Sequence, residues 1–447
     1  MMPHCAAHAA RRTQLLGRMQ AGAVAVLGTA PEVPRNGDSD YPYRYDSHFY
    51  YLSGFAEPES CLVLVASQGE RPARAILFCR EKNVEREIWE GFRFGPEAAR
   101  EAFGFDEAWP IDELDARMAD ILADAPALYY ALGHGADLDA RVAGWLKAVR
   151  ARGRTGVTAP QTTHHLLAML DEMRLLKDEH EIALMARAGA ISAQAHARAM
   201  RATRPGMFEY EIEAELLHEF RRNGAQFPAY PSIVASGPQA CVLHYNANNR
   251  RIEDGDLVLI DAGCELDGYA SDITRTYPAN GRFGDAQRIL YELVLRAQSA
   301  AIAAVVPGRP YSAIHDAAVR VLTEGMLDLG LLDRNKMGAL DEAIAARAYT
   351  RFYMHGTGHW LGMDVHDVGA YRDLASPDKP SRPLLPGMAL TVEPGIYVRP
   401  GEGVPERFWN IGIRIEDDVV VTDAGCRILT TGAPKDIADI ETVMRKQ

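Results

Sequence analysis

A two-domain α+β protein is expected from three features of the chain. Its 447 residues exceed the roughly 250–300 at which one hydrophobic core stops growing. The first 165 or so alternate strand and helix signals, whereas beyond them runs of helix are separated from runs of strand. The composition, 47% hydrophobic and 24% charged, is that of an ordinary globular protein.

The N-terminus, MMPHCAAHAARRTQLLGRM, places its arginines after its alanines and lacks a sustained apolar stretch, so it reads as a helix and not as a signal peptide. AVAVLGT (23–29), CLVLVAS (61–67) and ARAILFC (73–79) are short aliphatic runs bounded by Gly, Pro or charge, as buried strands should be. LDARVAGWLKAVRARG (138–153) has helical spacing, with arginines near its end where the helix dipole favours them. Residues 1–165 are thus expected to form an α/β domain, RGRTGVTAPQTT (152–163) a linker, and 166–447 a second domain. The second domain opens with a long helix that breaks near Lys177–Asp178, where Asp178 can cap the following segment. A second helix ends at Gly224, and the strands PSIVASG, DLVLIDAGCEL and YASDITRTY follow. Residues 285–305 and 311–330 return to helix, and the last hundred are mostly strand and turn.

Several function classes fall away at once. A net charge of −13, from 61 acids against 48 bases, opposes nucleic acid or an anionic membrane as partner, since phosphate binding needs a basic field. No stretch approaches the ~18 apolar residues of a membrane span. The six cysteines form no CxxC pair and read as reduced thiols of a cytoplasmic protein. Cys264, although near an acidic cluster, suits an oxygen-rich metal site poorly.

Five side chains in the last 190 or so residues carry the chemistry: Asp261, Asp272, His359, Glu393 and Glu416. Four carboxylates and one imidazole suit hard or borderline divalent cations. Four negative charges overcompensate one such ion, whereas two ions bridged by shared carboxylates balance them, and such pairs hydrolyse substrates. LVLIDAGCELDGYASDITRTYP reads as a hairpin turning at Asp267-Gly268, which brings Asp261 and Asp272 onto neighbouring strands. The plainer alternative is a pair of solvated hairpin acids. In MHGTGHWLGMDVHDVG, His355 and His359 are four apart as in zincins. Gly356 stands where a zincin has its Glu, however, and the glycines oppose a helix, so a loop or strand is expected. Glu393 and Glu416 lie among β-branched strand residues, where an inward Glu is costly unless paired or coordinating. Arg414, two residues from Glu416, shares its face and can hold a carboxylate in place or form a structural Arg–Glu pair.

Asp, Asp, His, Glu and Glu in that order, with HGxGHxxGxxxHD around the histidine, resemble the pita-bread metallopeptidase family, and within it the aminopeptidase P group. The resemblance runs from YDSHFYYLSGFAEPES (45–60) through MRLLKDEHEI (173–182) to residue 418, so it covers both domains. It implies a pita-bread catalytic domain behind a smaller α/β domain, as in creatinase and aminopeptidase P. It implies two divalent ions, manganese first, with zinc or cobalt as alternatives. Asp272 and Glu416 would bridge them, Asp261 would complete one shell, and His359 with Glu393 the other.

The same resemblance makes Glu393 the proton shuttle and gives His244 and His366 the developing negative charge and the substrate. His355 would support the ligands or the leaving group, and Arg414 would act beside them. Trp89, in EIWEGFRFG, would close the proline pocket from a neighbouring subunit, with Tyr397 as a further pocket residue. The implied substrate is a peptide beginning Xaa-Pro, and the implied assembly a homo-oligomer, dimeric or tetrameric. A prolidase shares the five ligands, and a non-catalytic peptide-binding module shares the fold. A methionine aminopeptidase would have no use for the first domain, and a creatinase-like enzyme would lack the ligands.

Overall fold

The computed structural model describes residues 5–445 and divides into two compact units, Met1–Met173 and Arg174–Gln447. The first helix runs Cys5–Arg18; the four residues before it, part of the expected helix, lie outside the described residues.

The N-terminal unit is built on a six-stranded mixed sheet. Its order is Glu107–Pro110, Arg74–Cys79, Cys61–Val65, Val24–Gly28, Ala127–Tyr129, Thr162–His164. The aliphatic runs seen in the sequence are its central strands, buried nearly throughout because helices cover them. Val26, Val63, Phe78, Met118 and Trp145 form part of the core beneath. Two expectations change here. Thr162–His164, at the end of the supposed linker, pairs in parallel with Ala127–Tyr129, so that segment belongs to the sheet. The helix Leu166–Leu175 begins at the expected boundary, yet its first turns bond backwards within this unit. His48 Nε2 meets Asp171 Oδ1 at 2.9 Å, and Tyr51 donates to the Met173 carbonyl at 3.2 Å.

The C-terminal unit repeats one plan twice, a helix pair followed by antiparallel strands. In the first half, Glu179–Ala202 is capped by Asp178, whose carboxylate accepts from Glu181 N while the Glu181 carboxylate accepts from Asp178 N, each at 2.9 Å. Glu209–Arg222 follows. Leu257–Asp261 then pairs with Ile233–Ser236 on one side and Thr274–Pro278 on the other. In the second half, the helices Asp285–Ala304 and Ser312–Asp328 precede the pairing of Ala389–Val392 with Asp417–Val421 and of Gly395–Val398 with Ile411–Arg414. Leu216, Phe220, Ile260, Leu290, Leu322 and Ile413 belong to a core shared by both halves. Each such burial is worth about 1.5–3 kcal/mol.

The halves meet along a seam that sets the site. Glu416 N donates to the Thr274 carbonyl at 3.1 Å, and Thr276 Oγ1 donates to the Arg414 carbonyl at 3.0 Å. Strands carrying the two aspartates are thereby stitched to those carrying Arg414 and Glu416. One element was absent from the sequence reading: the chain's last helix, Ile437–Arg445, which buries Ile437, Ile440 and Met444 on one face. No described helix is long and apolar enough to cross a membrane.

Candidate metal centre

The acidic hairpin turns at Asp267 and Gly268, both with positive φ (49° and 81°), the backbone of a type I′ turn. Asp261 lies opposite Thr274, and Asp272 sits two residues before it, not on a strand as expected but in the break between Tyr269–Ala270 and Thr274–Pro278. Between the carboxylates the strands close tightly, and a side chain at Gly263 would put its Cβ 1.7 Å from the Ser271 carbonyl oxygen. Only glycine fits there.

The two glutamates occupy breaks in their strands and not strand interiors, contrary to expectation. Glu393 falls between Ala389–Val392 and Gly395–Val398, and Glu416 between Ile411–Arg414 and Asp417–Val421. Both strands of the pair change partners at the same level, and Pro394, which cannot donate to a ladder, marks the place. His359 comes from the extended glycine-rich segment, with no helix there. Gly358 lets that segment lie against the neighbouring strand, since a Cβ would come within 2.0 Å of the Thr391 carbonyl oxygen. His359 N then reaches Thr391 Oγ1, and Thr391 N reaches the His359 carbonyl.

All five side chains line one cavity of about 600 Å³, together with Tyr230, His244, His355, His366 and Arg414. Ligand atoms of Asp272, His359 and Glu416 lie within 4.8 Å of one another. His359 Nε2 is 3.5 Å from Asp272 Oδ2 and 3.6 Å from Glu393 Oε1. Its Nδ1 sits 3.0 Å from the Trp360 carbonyl; donating there fixes the tautomer and turns Nε2 towards the carboxylates.

Among the described residues, Arg414 is the one guanidinium lining the cavity with the four carboxylates. It donates to Asp261 Oδ2 at 2.5 Å, Tyr397 Oη at 3.0 Å and Thr274 Oγ1 at 3.1 Å. Its partner is therefore Asp261 and not Glu416, whose Oε2 instead accepts from Thr274 Oγ1 at 2.6 Å. Burial pushes the Glu393 carboxyl up to about 7. His359 and Arg414 draw it down, and Asp272 and Asp261 push it up again. Glu416 is driven well above the carboxylate range by burial and then by Asp272, Glu393 and Asp261. Burial draws the His359 imidazole down, but the hydrogen bond and charge of Asp272, with Glu393, outweigh it and raise the group to about 9.

These observations fit divalent cations. Four carboxylates share one guanidinium, and the imidazole seeks a proton at the nitrogen that would face an ion. Tyr230 adds a second sign: its single hydroxyl proton lies between Asp261 Oδ1, at 2.7 Å, and Asp272 Oδ1, which is closer still. One proton serves only one of them at a time, leaving a carboxylate oxygen in want of a partner.

His355 Nδ1 lies 2.7 Å from the Gly356 carbonyl and Nε2 lies 2.8 Å from Tyr397 Oη, so both ring nitrogens are engaged. Burial, followed by the Arg414 charge, lowers its pKa to about 3. Tyr397 is 1% exposed and stands behind the cavity wall, joining His355 to Arg414; its hydroxyl is occupied there. Trp89 is 85% exposed, on the short helix Val84–Glu90, which rules out a packed core tryptophan. Sequence reasoning missed Tyr230, Thr274, Thr391 and Asp418, whose carboxylate accepts from Asp272 N at 3.0 Å. None of these carried a local signal, because each partner is distant in sequence.

Two family models match the chain: metallopeptidase family M24 over residues 183–423, and the aminopeptidase P N-terminal domain over residues 8–129. The chain belongs to metallopeptidase family M24. It is a metallo-aminopeptidase with divalent metal cofactors, and its C-terminal unit has the pita-bread fold. The Xaa-Pro aminopeptidase of Escherichia coli is 46% identical over 440 residues, 98% of each chain, and that of Haemophilus influenzae 45% identical over 97% of this chain and 96% of the relative. The structure of a Pseudomonas aeruginosa aminopeptidase matches with a TM-score of 0.95 at 48% identity, covering 98% of both chains. An Escherichia coli aminopeptidase P variant in complex with substrate matches at 0.94 and 45% identity over 99% of both.

Proposed function

We propose that this enzyme releases the N-terminal residue from peptides whose second residue is proline, using two divalent ions held by Asp261, Asp272, His359, Glu393 and Glu416. The carrying observation is the convergence of those five side chains on one cavity, in a chain alike along its whole length to Xaa-Pro aminopeptidases. Asp272 and Glu416 would bridge the pair, Asp261 would complete one shell, and His359 with Glu393 the other. Manganese is the proposed native ion. Zinc or cobalt fits the same donors, and a zinc-substituted Escherichia coli aminopeptidase P is among the similar structures.

Cations bound there supply Lewis acidity and bring the loss of a water proton near neutral pH. Glu393, which lines the cavity beside His359, accepts the proton of the attacking water on a carboxylate oxygen and delivers it to the proline nitrogen as the C–N bond breaks. His244 and His366, both lining the cavity, donate to the scissile carbonyl oxygen as it gains negative charge. Arg414 holds Asp261 in place, and Tyr397 with His355 keeps that arginine oriented. The Xaa-Pro bond is a tertiary amide without N–H, and its ring fixes φ, so a pocket selects it by shape and by the missing donor. A cytoplasmic homo-oligomer with Trp89 at the pocket of a neighbouring subunit completes the proposal. Exposed Val84, Ile88 and Phe92 around that tryptophan favour a protein contact.

Metal-stripped protein repleted with manganese, cobalt or zinc and assayed on Ala-Pro-Ala and Ala-Pro tests the reading. Hydrolysis of the tripeptide with little of the dipeptide is expected. A preference for the dipeptide would indicate a prolidase, and activity confined to peptides without proline would end the specificity claim.

A further inference from the structure

The MRLLKDEHEI segment takes no part in the chemistry above, yet it buries two cations. Arg174 and Lys177 each have side chains 1% exposed, and both point at Asp367, itself 1% exposed. Lys177 Nζ donates to Asp367 Oδ2 at 2.8 Å, and Arg174 Nη2 to Asp367 Oδ1 at 2.5 Å and Asp364 Oδ2 at 2.8 Å. Asp367 follows His366 directly, and its N–H closes a loop by donating to the Trp360 carbonyl at 2.9 Å. Trp360 in turn follows His359. The bond at the base of this loop therefore joins the neighbours of both imidazoles, whose ring centres lie 4.1 Å apart. Gly362 permits the closure, because a Cβ there would stand 2.2 Å from Asp367 Oδ2 and 2.9 Å from Lys177 Cε.

We infer that Arg174 and Lys177 are positioning residues for the reaction: by clamping Asp367 from behind they hold His366 against the metal cluster at the substrate's carbonyl. His366 is otherwise exposed, on a loop whose tip has no strand or helix of its own, so its place depends on how firmly the base is anchored. Two buried cations on one carboxylate are an unusually stiff anchor, since neither oxygen can turn without stranding a charge. The inference rests on the proposed role of His366.

The test is a double-mutant cycle on Ala-Pro-Ala hydrolysis with Lys177→Met, Lys177→Arg and His366→Ala, each checked for thermal stability and for bound metal by elemental analysis. Lys177→Met should lower kcat/KM about tenfold with metal content unchanged. Lys177→Arg should recover most of that loss. In the His366→Ala background, Lys177→Met should change kcat/KM less than about twofold, because the group it positions is gone. Equal losses in both backgrounds, or lost metal, would mean a merely structural clamp and overturn the inference. An unchanged kcat/KM for His366→Ala alone would remove the role of His366 itself, and the clamp's function with it. Should Lys177→Met fail to fold, Asp364→Asn, at a carboxylate 39% exposed, carries the same comparison.

Discussion

Glu416 and Asp417 are adjacent, equally buried, and opposite in electrostatic character. Glu416 faces the cavity among three other carboxylates and is driven well above the ordinary range. Asp417 faces away, towards Arg275 Nη2 at 2.7 Å, Lys435 Nζ at 2.6 Å and Thr430 Oγ1 at 2.8 Å. Burial pushes Asp417 up as well, but the charges of Arg275 and Lys435 outweigh it and hold it below the usual carboxylate range. Burial alone therefore does not distinguish a structural carboxylate from a functional one. What distinguishes them is the count of opposing charges: Asp417 alone meets Arg275 and Lys435, whereas the four cavity carboxylates, Glu416 among them, share Arg414 and the His359 imidazole.

The largest expected effects separate these two neighbours. Glu416→Gln keeps an acceptor for Thr274 but removes a proposed ligand, so kcat/KM should fall more than about a hundredfold, since outer residues alone cost 10–100-fold. The metal-free variant should melt no lower than the parent, because a repelled charge is gone. Asp417→Asn strands the fully buried Arg275 and weakens the partly exposed Lys435, and should cost about 3–5 kcal/mol in denaturant unfolding. If both substitutions acted alike on stability and activity, the contrast would be wrong.

Gly358→Ala comes next. Its Cβ would press on the Thr391 carbonyl and displace His359, so a loss of about 1–3 kcal/mol is expected, together with weaker metal binding by titration calorimetry. Tyr230→Phe sharpens the same contrast from the unbalanced side. It should reduce metal affinity about 10–100-fold while shifting stability by only about 1 kcal/mol.

The smallest effect is on pH dependence. In metal-free protein Glu393 titrates near 7 and His359 near 9, both above their unfolded values. A raised folded pKa means that the native state holds more protons, so the stability these groups contribute is present in acid. It should be lost as pH rises from about 4.5 through 7 for Glu393, and from about 6.5 through 9 for His359. Saturating metal should flatten that decline, as thermal melts across pH 5–9 would reveal.

Much of this site was legible in the sequence because its chemistry is local to each motif. Asp267-Gly268 announced its turn, Asp178 its cap, and the glycines around His359 the absence of a helix. The breaks at Glu393 and Glu416 were misread as continuous strands because of their β-branched neighbours, although Pro394 beside Glu393 was a local sign of the first. What could not be read was the set of partners. Tyr230 meets Asp261 and Asp272, Arg275 meets Asp417, and Arg174 meets Asp367 only after the halves assemble. The sharing of Thr162–His164 with the first sheet likewise depended on a partner strand and not on its own polar composition.

Counting ions tests the central claim most directly. Elemental analysis and titration calorimetry of the full chain with manganese should find two per chain for the parent, and one or none for Glu416→Gln. A parent that binds no divalent ion, or that cleaves Ala-Pro-Ala undiminished in excess chelator, would contradict it.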